Sequence, residues 1–122
     1  VFNKAGLILI DQRLESSSMG GMWEFPGGKR EMDEPIEKTI EREIKEELEI
    51  EIKVKEKLLS FEHLYSHKKL YFTVHICELI SGKPKPIASQ KLLWVSPEKL
   101  CDYPFPAANT KIISVLHKHL DI

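Results

Sequence analysis

The segment from Trp23 to Ile50 constrains the fold of this chain more than any other stretch. It reads W-E-F-P-G-G-K-R-E-M-D-E-P-I-E-K-T-I-E-R-E-I-K-E-E-L-E-I, a loop of proline and glycine followed by a run with helical periodicity. At the helical repeat of about 100° per residue, the apolar positions fall on one stripe, which predicts a helix with that face on a core. The stripe consists of Ile36, Ile40, Ile44 and Leu48.

Glu43, Glu46 and Glu47 form a carboxylate cluster beside this stripe. Clustered carboxylates at the border of a core destabilise the fold unless positive charge neutralises them. Mg²⁺ prefers oxygen ligands and can bridge protein carboxylates to substrate phosphates. We therefore predict a metal and pyrophosphate site. The alternative is a solvated acidic helix, held by ion pairs with lysine and arginine one turn away.

The loop before the helix, Pro26-Gly27-Gly28, lacks bulky side chains, so its backbone can approach a ligand. Loop and helix together fit G-x5-E-x7-R-E-U-x-E-E-x-G-U, where U is apolar. This pattern resembles the Nudix box. Glu49 replaces its final glycine, and for that reason we expect a frayed or extended helix end. The matching positions are Gly28, Glu34, Arg42, Glu43, Ile44, Glu46, Glu47 and Ile50.

The resemblance covers most of the chain, since W-E-F-P-G-G-K and Y-P-F-P-A-A-N are similar to segments of the MutT-like branch of Nudix hydrolases. Family members hydrolyse a nucleoside diphosphate linked to a further group, with Mg²⁺ or Mn²⁺. The resemblance implies an 8-oxo-dGTP diphosphatase that releases a nucleoside monophosphate and pyrophosphate. Two alternatives stay open: a Nudix hydrolase for CTP, dCTP, a nucleotide sugar or a dinucleotide, and a noncatalytic nucleotide-binding module.

The resemblance also implies roles for individual residues. Glu43, Glu46, Glu47 and the Gly27 carbonyl would hold Mg²⁺, or Mn²⁺ in its place. Glu43 would also activate water, and Arg42 would hold a glutamate of the box in position. Substrate binding is implied for Arg13, Glu24, Phe25, Pro26, Gly27, Lys29 and Asn109.

Plain alternatives exist for several of these residues. Arg13 and Lys29 can be solvated charges, Phe25 can be a core residue, and Asn109 can be a helix cap. The chain also departs from MutT. Ser18 stands where MutT has a nucleotide-contacting histidine, and residues 87–90 contain no carboxylate where MutT has a further metal-binding glutamate.

Composition limits the class of protein. A length of 122 residues with 42% hydrophobic residues fits a single domain, 1–122. A net charge of −1 and a pI near 6.6 lack the basic excess of nucleic-acid-binding domains, but suit a small nucleotide substrate. Cys77 and Cys101 indicate reduced thiols, and no apolar run approaches the roughly 20 residues of a membrane span. We expect a cytoplasmic monomer with no membrane or nucleic-acid partner.

The remaining pattern predicts an α+β fold, a Nudix-type α/β/α sandwich with a mixed central sheet. Residues 7–10 form a continuous apolar run before Asp11, which predicts a strand that is buried on both faces and ends at Arg13. Residues 51–54, 57–63 and 70–79 predict further strands, and a short helix should begin at the cap Ser96. Only Val1 and Phe2 precede the first turn, so the first strand is expected to be truncated. A closing helix is predicted from Ile112, Ile113, Leu116 and Leu120.

Overall fold

A computed structural model describes residues 1–31 and 33–122 of the chain. None of the helices in these ranges is long and apolar enough to cross a membrane. These two ranges contain two α-helices, one 3₁₀ helix and five strands. They are β1 (Ile8–Gln12), β2 (Trp23–Glu24), α1 (Ile36–Leu48), β3 (Glu51–Tyr65), β4 (Lys68–Ser81), β5 (Lys91–Val95), the 3₁₀ helix (Pro97–Asp102) and α2 (Ala107–His119).

The sheet is mixed, as predicted, and residues 1–3 join its two parts. β1 lies between β2 and β5 and is antiparallel to both, while β3 and β4 form a long antiparallel hairpin. The Phe2 N–H donates to the Cys77 carbonyl at 2.8 Å, and the Leu9 N–H donates to the Val1 carbonyl at 2.9 Å. Phe2 thereby pairs with Glu78 in parallel and with Ile8 in antiparallel orientation.

The core has two parts, one on each face of the sheet. Ile8 and Ile10 pack with Ile113 and Leu116 of α2, whereas Leu9 packs with residues of α1. Because neighbouring residues of a strand point to opposite faces, a strand covered on both sides is apolar throughout. The α/β/α sandwich is confirmed, with α2 covering one face and α1 the other. The α1 face is built from Leu9, Ile44, Leu48, Ile50, Ile52 and Cys77.

One strand differs from the prediction, whereas the end of β1 agrees with it to within one residue. β1 continues past the apolar run through Asp11 to Gln12, next to the predicted end at Arg13, and β5 pairs with it along its whole length. β3 is one strand, where two segments were predicted. Its pairing with β4 shifts between Val54 and Lys57 and again between Lys57 and Leu59. Such irregularities let a strand bend while it stays in the sheet, so the alternation of side chains breaks without ending the strand.

The expectation of a frayed or extended end of α1 was wrong. The helix ends at Leu48, and Glu49 takes the left-handed conformation, with φ 56° and ψ 38°, while its N–H donates to the Lys45 carbonyl. A residue with a side chain adopts this conformation at a cost of roughly 1–2 kcal/mol. Contacts with Lys85 support the turn: its N–H donates to the Leu48 carbonyl at 3.0 Å, and its Nζ lies 3.2 Å from Glu49 Oε2.

The short helix predicted to begin at Ser96 is confirmed as a 3₁₀ helix with Ser96 at its N-cap position, although the Ser96 side chain makes no cap hydrogen bond. The predicted apolar stripe of the closing helix was too long. Leu120 lies just after α2 and is 38% exposed, so it does not extend the apolar stripe of that helix. Cys77 is buried and Cys101 exposed, and both are free thiols, as predicted.

Candidate active site

Glu34, in the turn before α1, is held by several donors. Arg42 reaches both of its carboxylate oxygens, with Nε 2.8 Å from Oε2 and Nη2 3.0 Å from Oε1. The Thr39 hydroxyl donates to Oε1 at 2.8 Å. The hydrogen bonds from Arg42, and then that from Thr39, lower the pKa of Glu34 to about 2. Glu34 therefore stays ionised at any ordinary pH and keeps its hydrogen bonds with Arg42.

Arg42 also contacts two of the catalytic candidates on α1, Glu43 and Glu46. Its Nη1 donates to Glu43 Oε1 at 3.0 Å and lies 3.3 Å from Glu46 Oε2, while its Nη2 donates to the Lys29 carbonyl at 3.3 Å. The guanidinium therefore ties the glycine loop to two glutamates of α1. A helix-surface pair between Arg42 and Glu46, four residues apart, is only one part of this arrangement.

Because Gly28 has no side chain, the carboxylate of Glu43 can lie directly against the loop. A Cβ built at Gly28 would overlap the carboxylate of Glu43, so any larger residue would push that carboxylate aside. Glu43 is accordingly enclosed, with a side chain 15% exposed between the loop and Arg42. The sequence predicted a glycine loop that approaches a ligand. The structure places the loop at Gly28 directly on a box glutamate.

Glu47 and Asp11 are two carboxyl groups near the site whose pKa values are strongly raised. Burial raises the pKa of Glu47 to about 7, with further contributions from the charges of Glu43, Glu24 and Glu46. Burial also raises the pKa of Asp11 to about 7, and the charges of Glu24 and Glu47 add to it. Asp11 is 6% exposed, and its Oδ1 has no hydrogen-bond partner in the described part of the chain. Acidic side chains are therefore crowded between β1, β2 and α1, where their ionisation is disfavoured.

A cleft of about 1160 Å³ opens beside the glycine loop, between the loop, the first turns of α1, the β3–β4 hairpin and α2. Phe25 forms part of its wall and stacks on Phe105, with ring centroids 5.2 Å apart and an interplanar angle of 22°. Six of the predicted substrate-binding residues line the cleft: Glu24, Phe25, Pro26, Gly27, Lys29 and Asn109.

Arg13, the seventh, is bound elsewhere. Its Nε donates to the Ser18 carbonyl at 2.7 Å, and its Nη1 donates to Glu24 Oε2 at 2.9 Å. It reaches the cleft only through Glu24. This pairing differs from a solvated charge, and it ties the loop after β1 to the end of β2.

Asn109 lies inside the first turn of α2, not at its cap position. The helix begins at Ala107 after Pro106, and the Asn109 N–H donates to the Pro106 carbonyl at 2.9 Å. The cap alternative for Asn109 is therefore wrong, and the residue lines the cleft. His75 lines the same cleft, and its Nε2 lies 4.0 Å from Glu37 Oε1.

Comparison with known proteins decides the family. A NUDIX domain matches residues 1–115. The chain belongs to the Nudix family. This Nudix chain is similar to the CTP pyrophosphohydrolase of Escherichia coli (strain K12), being 33% identical over 113 residues, which are 93% of this chain and 84% of the relative. It is also similar to the 8-oxo-dGTP diphosphatase of Haemophilus influenzae, 33% identical over 111 residues, or 91% and 82% of the two chains.

A solved structure agrees with this assignment. The solution structure of the E. coli ORF135 protein matches with a TM-score of 0.81 and 32% identity, covering 97% of this chain and 84% of that chain. The predicted resemblance and fold are thus confirmed. With relatives named as a pyrophosphohydrolase and a diphosphatase, the chain is a Nudix hydrolase, a family that acts on small nucleotide substrates.

The carboxylates of this Nudix hydrolase are suitable ligands for a divalent cation, but their side chains do not converge on one point. Across residues 1–31 and 33–122, no three aspartate, glutamate, histidine or cysteine side chains are grouped closely enough to hold one. Glu43 and Glu46 turn toward Arg42 instead. The donors are nevertheless all oxygen. Burial and then the charges of Glu43, Glu24 and Glu46 raise the pKa of Glu47, and a hard cation bound there would stabilise its ionised form.

Asp11 is a buried carboxyl group beside the candidate site that sequence reasoning missed. The signal was present, since Asp11 follows Leu9 by two positions in a strand, and residues two apart share a face. Leu9 packs under α1, so Asp11 also faces α1 and approaches Glu47. The sequence pattern placed Asp11 at the polar end of the strand and gave it no role. A buried carboxyl group on the helix-covered face of a strand is a candidate functional group.

Proposed function

We propose that this Nudix hydrolase is a metal-dependent nucleoside triphosphate pyrophosphohydrolase that converts 8-oxo-dGTP to the monophosphate and pyrophosphate. One observation carries the proposal: the same short loop borders the cleft and lies against Glu43. Gly27 lines the cleft, and Gly28 lies against Glu43. A nucleoside in the cleft would therefore extend its phosphates across the loop toward the carboxylates.

The chemistry follows from the donor set. Glu43, Glu46, Glu47 and the Gly27 carbonyl would hold Mg²⁺, with Mn²⁺ as a substitute. Such a cation supplies neutralising charge for the pyrophosphate and makes water more acidic. Glu43 accepts a proton from the attacking water, whose oxygen bonds to phosphorus as the anhydride between the α and β phosphates breaks. Arg42 keeps Glu43 oriented, and Lys29 offers charge to a phosphate oxygen.

Base recognition is assigned to the cleft. Phe25 contributes an aromatic wall, and Asn109 offers both a donor and an acceptor, as the edge of a purine requires. The similarity to the H. influenzae protein named 8-oxo-dGTP diphosphatase supports this choice. Arg13 takes part indirectly, through its hydrogen bond to Glu24 on the cleft wall.

CTP is the second candidate substrate. The E. coli relative named CTP pyrophosphohydrolase is as similar to this chain, at 33% identity, as the 8-oxo-dGTP diphosphatase. An amide such as that of Asn109 can also pair with the donor and acceptor of a cytosine edge.

The deciding experiment measures pyrophosphate release from 8-oxo-dGTP, dGTP, CTP and dCTP at equal concentration, each with Mg²⁺, with Mn²⁺ and with EDTA. A nucleotide sugar and a dinucleotide serve as comparators. We expect the highest kcat/KM for 8-oxo-dGTP with Mg²⁺ and no turnover with EDTA. A higher value for CTP would select the second candidate, and turnover in EDTA would reject the metal.

A further inference from the structure

We infer that Thr39 is a positioning residue for hydrolysis, because its hydroxyl holds Glu34 in the orientation in which both carboxylate oxygens accept hydrogen bonds from Arg42. Thr39 is 2% exposed and is the polar residue among the three buried positions of α1, beside Ile44 and Leu48. Its Oγ1 donates to Glu34 Oε1 at 2.8 Å. Nothing in the Nudix pattern requires a hydroxyl at this position, which is one of the variable residues between Glu34 and Arg42.

The hydrogen-bond geometry favours a functional use of the hydroxyl over a purely local one. A threonine inside a helix ordinarily bonds the carbonyl four residues before it. Here that carbonyl, of Pro35, lies 3.4 Å from Oγ1, whereas the Glu34 carboxylate lies at 2.8 Å. The single donor is thus directed at Glu34. Burial strengthens the selection, since a buried hydroxyl without a good acceptor is destabilising.

Thr39 supplies a restraint that Arg42 alone cannot supply. The Arg42 side chain is long, and the two hydrogen bonds of its fork allow arginine and carboxylate to move together. The short Thr39 side chain is fixed to the helix backbone, so its hydrogen bond anchors the pair to α1. Arg42 in turn donates to Glu43 at 3.0 Å and to the Lys29 carbonyl at 3.3 Å. Loss of the Thr39 hydrogen bond should therefore also disturb the orientation of Glu43, the proposed proton acceptor, and of the glycine loop.

The inference rests on the proposed metal-dependent hydrolysis, and one rival explanation must be separated from it. Thr39 also borders the cleft, so its hydroxyl could contact the substrate directly. Direct contact would change KM for the nucleotide. Positioning through Glu34 and Arg42 would change kcat and the binding of a metal ion, and would leave KM nearly constant.

The test compares variants of nearly equal volume. Thr39→Val removes the hydroxyl and keeps the shape, whereas Thr39→Ser keeps the hydroxyl and removes a methyl group. Thr110→Val is the matched control, because Thr110 is exposed in the first turn of α2 and its hydroxyl donates only to the Ala107 carbonyl. For each protein we would measure kcat and KM, Mn²⁺ affinity without nucleotide by electron paramagnetic resonance, and the Arg42 Nε signal by NMR without metal.

We expect Thr39→Val to lower kcat and Mn²⁺ affinity by roughly tenfold, the size typical of changes behind a ligand shell. Its Arg42 Nε signal should shift, while Thr39→Ser and Thr110→Val stay near wild type. A rise in KM alone, or equal losses in Thr39→Val and Thr39→Ser, would overturn positioning. If the wild type hydrolyses no nucleotide, the proposed function fails separately, and an unchanged Arg42 signal in Thr39→Val would still refute the anchor.

Discussion

The guanidinium of Arg42 holds both carboxylate oxygens of Glu34, at 2.8 and 3.0 Å, and in this way connects the turn before α1 with the middle of the helix. The pair is more than a surface ion pair, because the same guanidinium reaches Glu43 and the Lys29 carbonyl. Each element of the candidate site, loop, turn and helix, therefore depends on one planar group.

Arg42→Lys should lower kcat by about tenfold or more while the fold is kept. Lysine retains the charge but has no planar fork, so it cannot hold Glu34 bidentately and reach Glu43 as well. The measurement is steady-state hydrolysis with circular dichroism as a check of folding. Lys38→Arg, the reverse exchange at an exposed helix position, is the control and should keep wild-type activity. Full activity of Arg42→Lys would show that charge alone suffices.

Mg²⁺ should raise the melting temperature, and Glu47→Gln should reduce both this rise and hydrolysis. A cation that binds only the folded state stabilises it by about 2.7 kcal/mol at 100 times its dissociation constant. Glu46→Gln should act in the same direction. Glu98→Gln, at an exposed position of the 3₁₀ helix, is the control. A wild-type melting temperature that is the same with saturating Mg²⁺ and with EDTA would contradict the metal assignment.

Asp11→Asn should stabilise the metal-free protein more at pH 8 than at pH 5. The pKa of Asp11 is raised to about 7 in the folded state, from 3.8 ordinarily, so the wild type loses stability as pH rises from about 4 to 7. Asparagine is neutral throughout, and the gain between pH 5 and 8 should be roughly 2 kcal/mol. Thermal melts in EDTA at both pH values measure it, with exposed Asp102→Asn as control. Equal gains at the two pH values would argue against a strained Asp11.

Asn109→Ala should lower kcat/KM for 8-oxo-dGTP far more than for dGTP. A site that hydrogen-bonds a substrate group discriminates strongly, because its polar atoms are left unpaired by the wrong ligand. The observable is the ratio of the two kcat/KM values in wild type and variant, at a temperature where both are folded. Thr110→Ala, on the neighbouring exposed position, tests for a general effect of the helix turn. A constant ratio would remove Asn109 from base recognition and favour a substrate such as CTP.

Glu49→Gly should stabilise the protein by ~0.5–1 kcal/mol, because glycine adopts the left-handed turn after α1 without the side-chain clash. Glu49→Gln measures the contribution of the ion pair with Lys85, which is exposed and therefore worth little. Urea unfolding of both variants gives the comparison. A glycine variant less stable than the glutamine variant would show that the contacts with Lys85, not the backbone conformation, dominate at this turn.

Local patterns in the sequence determined the larger elements and the family. The apolar stripe from Ile36 to Leu48 and the continuous apolar run of β1 depend only on the repeat of helix and strand, so they could be predicted from neighbouring residues. The spacing of Glu43, Glu46 and Glu47 places them together on α1 for the same reason. Phe25 and Asn109, which are far apart in the sequence, could be joined only through the resemblance to the Nudix family.

Tertiary structure alone decided the rest, because it depends on how separate elements meet. Asp11 faces Glu47 only once β1 packs under α1. Gly28 meets Glu43 only when the loop folds back on the helix, and Arg13 turns to Glu24 through the pairing of β1 and β2. The left-handed Glu49 is accepted because Lys85, from a distant loop, bonds the helix end. Such contacts have no local periodicity, and their free energy appears only when the whole core has formed.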